Sequence, residues 1–338
     1  MDVKPAAFGS AARTSRRGFL KIVALSGLAL GLGATVTRQR LAAADVPVSQ
    51  ATRLLMGTVV NLTVAGPTTA AAQAAVAATL AEMERLIGVL DHRRPASALG
   101  QLNATGAVDD APPELIEVVA QALEMGALTG GAFDITIKPV LDAYRAGQRE
   151  VEALRPLVDY RQVALAGRQL RLRRPGMALT LDGLAKGRVV DGGVGVLRAL
   201  GYADVLVEAG GDLLAHGQRR YGQPWRVGVQ SPRSAQTLLT VPVTQAALAT
   251  SGDYQNSFTA DFSLHHIIDP RTLRSPLAVA GATALAPTAM LADAFSTALM
   301  VLGVTDGLAL VEQQPGVEAL LIGKDLQVHL TAGFPGRA

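Results

Sequence analysis

The stretch from Ala286 to Leu302 constrains the fold of this chain more than any other, because it is apolar on nearly every side of a helix and carries a single charge, Asp293. A helix without a polar face is buried all round, so the remaining sequence has to supply packing layers on more than one side of it. Hydrophobic residues make up 49% of the 338 positions, enough for a sizeable core in one large domain or two small ones. The pattern predicts a helix over 287–302 that stops at Gly303, entered from a strand over 278–285.

The other segments fall around it. Alternating β-branched residues predict a strand over 56–64, and the Ala-rich stretch after Gly66-Pro67 predicts a helix over 68–90. Residues 93–106 read as a polar surface loop. A second helix opens at Pro112-Pro113 and closes at Gly130-Gly131. A short strand over 179–181 is expected to run into a helix over 184–200, ended by Gly201 and followed by a strand over 205–208. Further strands are expected at 225–229, 238–243, 247–250, 319–322 and 327–331. Helices and strands interleave without a βαβ rhythm or a fixed-period repeat, which predicts an α+β fold with mixed or antiparallel sheets flanked by helices.

The N-terminus is read as a targeting segment. Thr14-Ser15-Arg16-Arg17-Gly18-Phe19-Leu20-Lys21 resembles the twin-arginine export signal, and an apolar run over 22–36 and the Ala42-Ala43-Ala44 step follow it. The expectation is a signal peptide over 1–44, export by the twin-arginine machinery to the periplasm, and one domain over 45–338; an uncleaved anchor is the alternative. Residues 1–44 hold seven of the 31 Lys and Arg and one of the 28 Asp and Glu, so the remainder carries 24 basic against 27 acidic residues. With 4% aromatics and no basic stripe, such a body gives no support for nucleic-acid binding. The chain has no cysteine, which excludes disulfides, thiolate metal sites and a thiol nucleophile.

Three regions carry chemistry. Thr297 lies four residues after Asp293 and shares its helix face, so a carboxylate and a hydroxyl oxygen converge where a hard cation can sit; a solvated or capped aspartate beside a core threonine fits the same spacing. In Thr180-Leu181-Asp182-Gly183-Leu184-Ala185-Lys186-Gly187 a glycine-bearing turn meets a helix start, where backbone N–H groups and a lysine can face phosphate; Gly210-Gly211-Asp212 has similar standing, and ordinary turns use the same residues. His265 and His266 stand near Asp269, as a general base or as histidines bonded within the fold. The pair lacks the spacing of a zinc helix, which disfavours a zinc hydrolase.

In their order these pieces resemble the ApbE family of FAD:protein FMN transferases over nearly the whole chain after the signal. The resemblance rests on Met56-Gly57-Thr58, the Ser97-to-Asn103 segment, Gly131 to Thr136, Leu181 to Asp191 and Gly210-Gly211-Asp212. It continues in Thr250 to Tyr254, His266 to Thr272 and Ala292 to Thr297. It implies an ApbE-like fold with the FAD site in a cleft between two lobes. Asp293, Thr297 and the Gly183 carbonyl would bind Mg2+. Met56, Ala132, Phe133, Asp134, Thr180, Lys186 and Ile268 would line the FAD site, and His266 would assist proton movement. The implied reaction is transfer of FMN from FAD to a threonine or serine of a partner flavoprotein in a membrane respiratory or electron-transfer complex, releasing AMP. An Mg2+-dependent FAD pyrophosphatase and a periplasmic flavin-binding accessory protein, for example in nitrous-oxide reduction, are the competing readings. The chain departs from the family pattern at Arg93, where an aromatic residue is common, at Thr180 to Gly183, and at Ser275-Pro276.

Overall fold

A computed structural model describes residues 48–336 except 66–67 and 220–221, so residues 1–44, read above as an export signal, lie outside the described residues. The first elements are the hairpin strands β1 (Val48–Leu55) and β2 (Thr58–Ala65). Their turn is Met56-Gly57, with φ of 51° and 72°, the left-handed pair that suits the twist of a tight hairpin. The strand expected from Met56 therefore begins at Thr58. A left-handed conformation at a residue with a Cβ costs about 1–2 kcal/mol.

There follow α1 (Thr69–Leu90), α2 (Ala98–Thr105), β3 (Ala107–Val108), α3 (Pro113–Leu128), α4 (Lys138–Arg145), β4 (Val163–Ala166), β5 (Gln169–Leu172) and α5 (Ala185–Ala199). After them come β6 (Val205–Ala209), β7 (Asp212–His216), β8 (Trp225–Gln230), β9 (Thr237–Val243), β10 (Ala246–Gly252), β11 (Val279–Ala286), α6 (Ala289–Val311), β12 (Glu318–Gly323) and β13 (Val328–Leu330). Two local expectations fail. Residues 93–106 contain α2, which Ser97 caps by accepting from the Gly100 N–H and which buries Leu99 and Leu102. Residues 179–181 form no strand; the side-chain amide of Asn103 instead accepts from the Leu179 N–H and donates to the Leu179 carbonyl. One asparagine on α2 thus does for Leu179 what a neighbouring strand would do, holding the approach to α5 in place.

Eight strands form one antiparallel sheet in the order β1-β2-β6-β7-β10-β11-β12-β13. Successive side chains of a strand point to opposite faces, and here both faces are covered. Val205, Val207, Ala247, Ala249 and Leu321 pack on the helix side with α1, α5 and α6. Leu206, Leu213, Leu248, Leu320 and Ile322 pack on the other side against the β8–β9 hairpin. This explains why β6 is buried along its whole length instead of alternating. The observed class is α+β, as expected. At Gly303 the backbone leaves the helix, with φ 79° and ψ −175°, before helical structure resumes toward Val311. The run is long and apolar enough to cross a membrane, yet it packs between β10, β11 and α5, which accounts for its lack of a polar face.

Candidate active site

The junction of α5 and α6 sets the site. A Cβ on Gly187 would fall 2.2 Å from the carbonyl oxygen of Ala289, so only glycine allows the two helices to approach this closely. One turn further along α5, Asp191 accepts hydrogen bonds from Ala289 N (2.7 Å) and Met290 N (2.9 Å), capping the start of α6. Burial pushes the Asp191 carboxyl up to about 6 against the pull of these two amides. With the helix ends locked, Asp293 comes to lie beside the first turn of α5, where the Gly187 N–H reaches its Oδ2 at 3.3 Å.

There Lys186 bridges two carboxylates. Its Nζ lies 2.6 Å from Asp212 Oδ2 and 3.1 and 3.2 Å from the oxygens of Asp293. Asp212 and Asp293 are 0% and 1% exposed. Burial alone would depress the lysine, but the two carboxylates more than reverse this and keep it charged. Burial, then the neighbouring Asp293, push the Asp212 carboxyl well up. Its Oδ1 is buried and meets no hydrogen-bond partner among the described residues. Asp212 reaches this point through the Gly210-Gly211 turn of the β6–β7 hairpin, where both glycines have positive φ. A Cβ on Gly210 would sit 2.0 Å from Thr58 Oγ1, so this turn packs directly against the start of β2, beside the Met56-Gly57 turn.

Thr297, one turn after Asp293, adjoins Gly183: a Cβ on Gly183 would meet Thr297 Oγ1 at 3.1 Å and Phe133 Cε2 at 3.0 Å. The structure therefore brings Gly183 together with Thr297 and Phe133, and Lys186 together with Asp293. Among the described residues no group of three or more His, Asp or Glu side chains converges as a metal site. Asp293 and Thr297 offer a carboxylate and a hydroxyl one helical turn apart, with the Gly183 backbone packed against Thr297 and one ammonium shared by Asp212 and Asp293 alongside. That is the sparse, hard donor set that suits Mg2+, whose other ligands are waters and substrate phosphate. An open depression of about 570 Å3 lies elsewhere, among Arg219, Arg226, Thr240 and Pro242, and no carboxylate lines it.

The remaining sequence candidates take different places. The Asp134 carboxylate caps the following turn, accepting from Thr136 N, Thr136 Oγ1 and Tyr160 N, so its acceptor capacity is largely used within the fold. Ala132 is buried in the main core. The Thr180 hydroxyl accepts from Asp182 N. Ile268 packs in a separate cluster with Val140, Tyr144 and Leu273. His266 is partly buried, its Nδ1 meets no partner among the described residues, and burial, then His265, bring the imidazole down to about 4. Asp182 and Lys186 are near enough to act on it electrostatically.

Sequence reasoning gave no individual role to the side chains of Asp212, Ser251 or Ser296, which entered only within their motifs, nor to the pair Arg93 and Asp182. The last two, both positions of departure from the family pattern, form a bidentate ion pair of 2.9 and 2.6 Å. His92 adds a contact of 3.4 Å and Arg145 one of 3.7 Å to the same carboxylate. Burial opposes its charge, but the hydrogen bond from His92 and the Arg93 guanidinium hold Asp182 well below the usual carboxylate range. Arg93 and Asp182, 89 residues apart in sequence, thus answer one another in charge.

Sheet, helix junction and oxygen cluster define an α+β protein whose helices α5 and α6 meet at a buried group of carboxylate, hydroxyl and ammonium side chains. The chain belongs to the ApbE family, whose family model matches residues 56–321. It is 33% identical over 281 residues to an FAD:protein FMN transferase of Treponema pallidum, covering 74% of this chain and 77% of that protein. A protein of the same name from Vibrio cholerae is 33% identical over 216 residues, and the match spans 59% of this chain and 64% of the relative's length. Among solved structures, the ApbE protein of Thermotoga maritima superimposes with a TM-score of 0.78 at 25% identity, covering 85% of this chain and 97% of the other.

Proposed function

We propose that this chain transfers FMN from FAD to a hydroxyl of a partner protein, in an Mg2+-dependent reaction that releases AMP. Family membership and the names of the relatives support the transfer. The observation that carries the site assignment is the buried set of Lys186, Asp212 and Asp293 beside Thr297 and Gly183. Asp293, Thr297 and the Gly183 carbonyl would hold Mg2+, which when bound would neutralise charge on the diphosphate of FAD. Lys186 is held at the positive end of α5 by Asp212, so its ammonium is oriented before substrate arrives. Phe133 lies against Gly183 and forms an apolar wall beside the phosphate position.

The acceptor hydroxyl oxygen bonds to the FMN phosphorus as the bond from that phosphorus to the AMP oxygen breaks. The hydroxyl proton moves to His266, whose imidazole is neutral at pH 7 because burial lowers its pKa. The acceptor is a flavoprotein of a membrane respiratory or electron-transfer complex, met in the periplasm after twin-arginine export; the arginine pair and the apolar run after it support this location. Incubation of the protein with FAD, Mg2+ and a candidate acceptor tests the reading. A flavin-fluorescent acceptor band that disappears with EDTA is expected. AMP release without acceptor labelling would instead make the protein a hydrolase.

A further inference from the structure

Three hydroxyls form a line behind the cation position. Ser296 Oγ lies 3.0 Å from the Asp293 carbonyl oxygen, Ser251 Oγ lies 2.9 Å from Ser296 Oγ, and Thr297 Oγ1 lies 3.3 Å from Ser251 Oγ. Ser296 is fully buried and Ser251 is 8% exposed. Among the described residues neither Ser251 Oγ nor Thr297 Oγ1 has a further hydrogen-bond partner. A hydroxyl has one proton to donate, and a carbonyl can only accept. Ser296 therefore donates to Asp293 O, the back-bond common for serine within a helix. Ser251 must then donate to Ser296, and Thr297 must donate to Ser251. The carbonyl at one end thus fixes the direction of all three bonds.

We infer that Ser251 and Ser296 are positioning residues that draw the Thr297 proton away from the cation, leaving the lone pairs of Oγ1 turned toward Gly183 and Asp293. The inference rests on the metal assignment under the proposed function and deepens it. A cation at Thr297 repels the hydroxyl proton, so both ends of the chain demand the same orientation. Without Ser251 the Thr297 hydroxyl can rotate its proton into the site, and part of the binding free energy is spent in turning it back. β10 supplies Ser251 and α6 supplies the other two, so the sheet itself orients a ligand on the helix.

The test is a double-mutant cycle on metal affinity. Mn2+ is titrated into the full-length protein with FAD present and followed through the EPR signal of free Mn2+. Ser251→Ala should weaken Mn2+ binding about tenfold, the lower end for loss of an outer-shell partner; Ser296→Ala should weaken it less, and Ser251→Thr, which keeps a hydroxyl, should restore most of it. Thr297→Val should weaken binding by more than either serine variant, and adding Ser251→Ala to it should change nothing further. Equal losses from Ser251→Ala with and without the Thr297 hydroxyl would overturn the inference while leaving the metal assignment standing. Failure of the unsubstituted protein to bind Mn2+, or indifference to Thr297→Val, would overturn the assignment and the inference with it. If Ser251→Ala does not fold, Ser296→Ala on the two Thr297 backgrounds gives the same discrimination.

Discussion

Two buried carboxylate clusters in this protein differ in one respect that separates chemistry from architecture. Asp253 is 0% exposed, and its oxygens are filled by Arg233, at 2.7 Å to each, and by Lys324 at 2.5 Å. Arg233 also lies 4.5 Å over the Phe262 ring, and Lys324 donates to the Phe262 carbonyl. Two cations answer one anion there, and the result is a clamp on the loop that leads to His266. At the α5–α6 junction the count is reversed: among the described residues Asp212 and Asp293 share Lys186 as their one cation, and Asp212 Oδ1 has no partner. A buried carboxylate costs several kcal/mol unless compensated, so a cluster left short of positive charge is retained for what it binds. Spare acceptor capacity, more than burial, marks the site.

The sharpest way to break this comparison is to remove the anion on each side. Asp293→Ala should lower FMN transfer by about 10³-fold, the scale of losing one preorganised electrostatic group. Its melting temperature should hold or rise, because the like charge that raises the Asp212 pKa is gone while Lys186 keeps a partner. Asp253→Ala should do the converse, costing about 3 kcal/mol in denaturant unfolding, the low end for breaking a buried pair because both cations keep some solvent. Mn2+ affinity of the folded fraction should not change. Large instability of the first variant, or metal loss in the second, would erase the distinction.

His266 sharpens the comparison by a smaller step. His266→Ala should slow transfer about 10²-fold with FAD binding retained. With the imidazole brought down to about 4 by burial, below its ordinary value of about 6.5, the neutral form prevails at pH 7. Its contribution to stability is complete above about 6.5 and declines as pH falls toward 4. The acid limb of kcat/KM should therefore fall near pH 4, and the residual rate of the variant should lack it. A limb near 6.5 would mean that His266 stands in water.

Much of the fold was legible because its strongest signals are local. The run around Asp293 predicted a helix, its burial and a break at Gly303, though not the helical continuation to Val311, and the turn glycines at 210 and 211 sit where the chain needs left-handed φ. α2 was missed because it is short and follows the polar, proline-containing run over 91–97, although Ser97 as a cap and Leu99 and Leu102 three apart were the available signal. The strand over 179–181 failed for a reason no local pattern carries, since its partner is a side chain 76 residues away. The site divides similarly. Asp293 and Thr297 are neighbours in sequence and were found together, whereas Asp212 and Ser251 join them only through sheet pairing of β7 with β10 and β10 with β11.

The smallest expected effect concerns the pair that departs from the family pattern. The Arg93 side chain is 50% exposed and that of Asp182 29%, so much of the attraction between them is screened, and Arg93→Ala should cost about 1 kcal/mol or less in stability. Asp182 would keep His92 and Arg145 as partners, which limits the loss further. The reverse variant is less symmetrical: Asp182→Ala leaves His92, Arg93 and Arg145 facing one another, and it should cost more than Arg93→Ala even though it removes the same bond. Urea unfolding of the two single variants and the double variant measures this. A double variant no less stable than Asp182→Ala would place the pair between the two clusters already compared, as a carboxylate kept to separate Arg93 from Arg145. An Arg93→Ala loss equal to that at Asp253 would show instead that this pair is a second clamp.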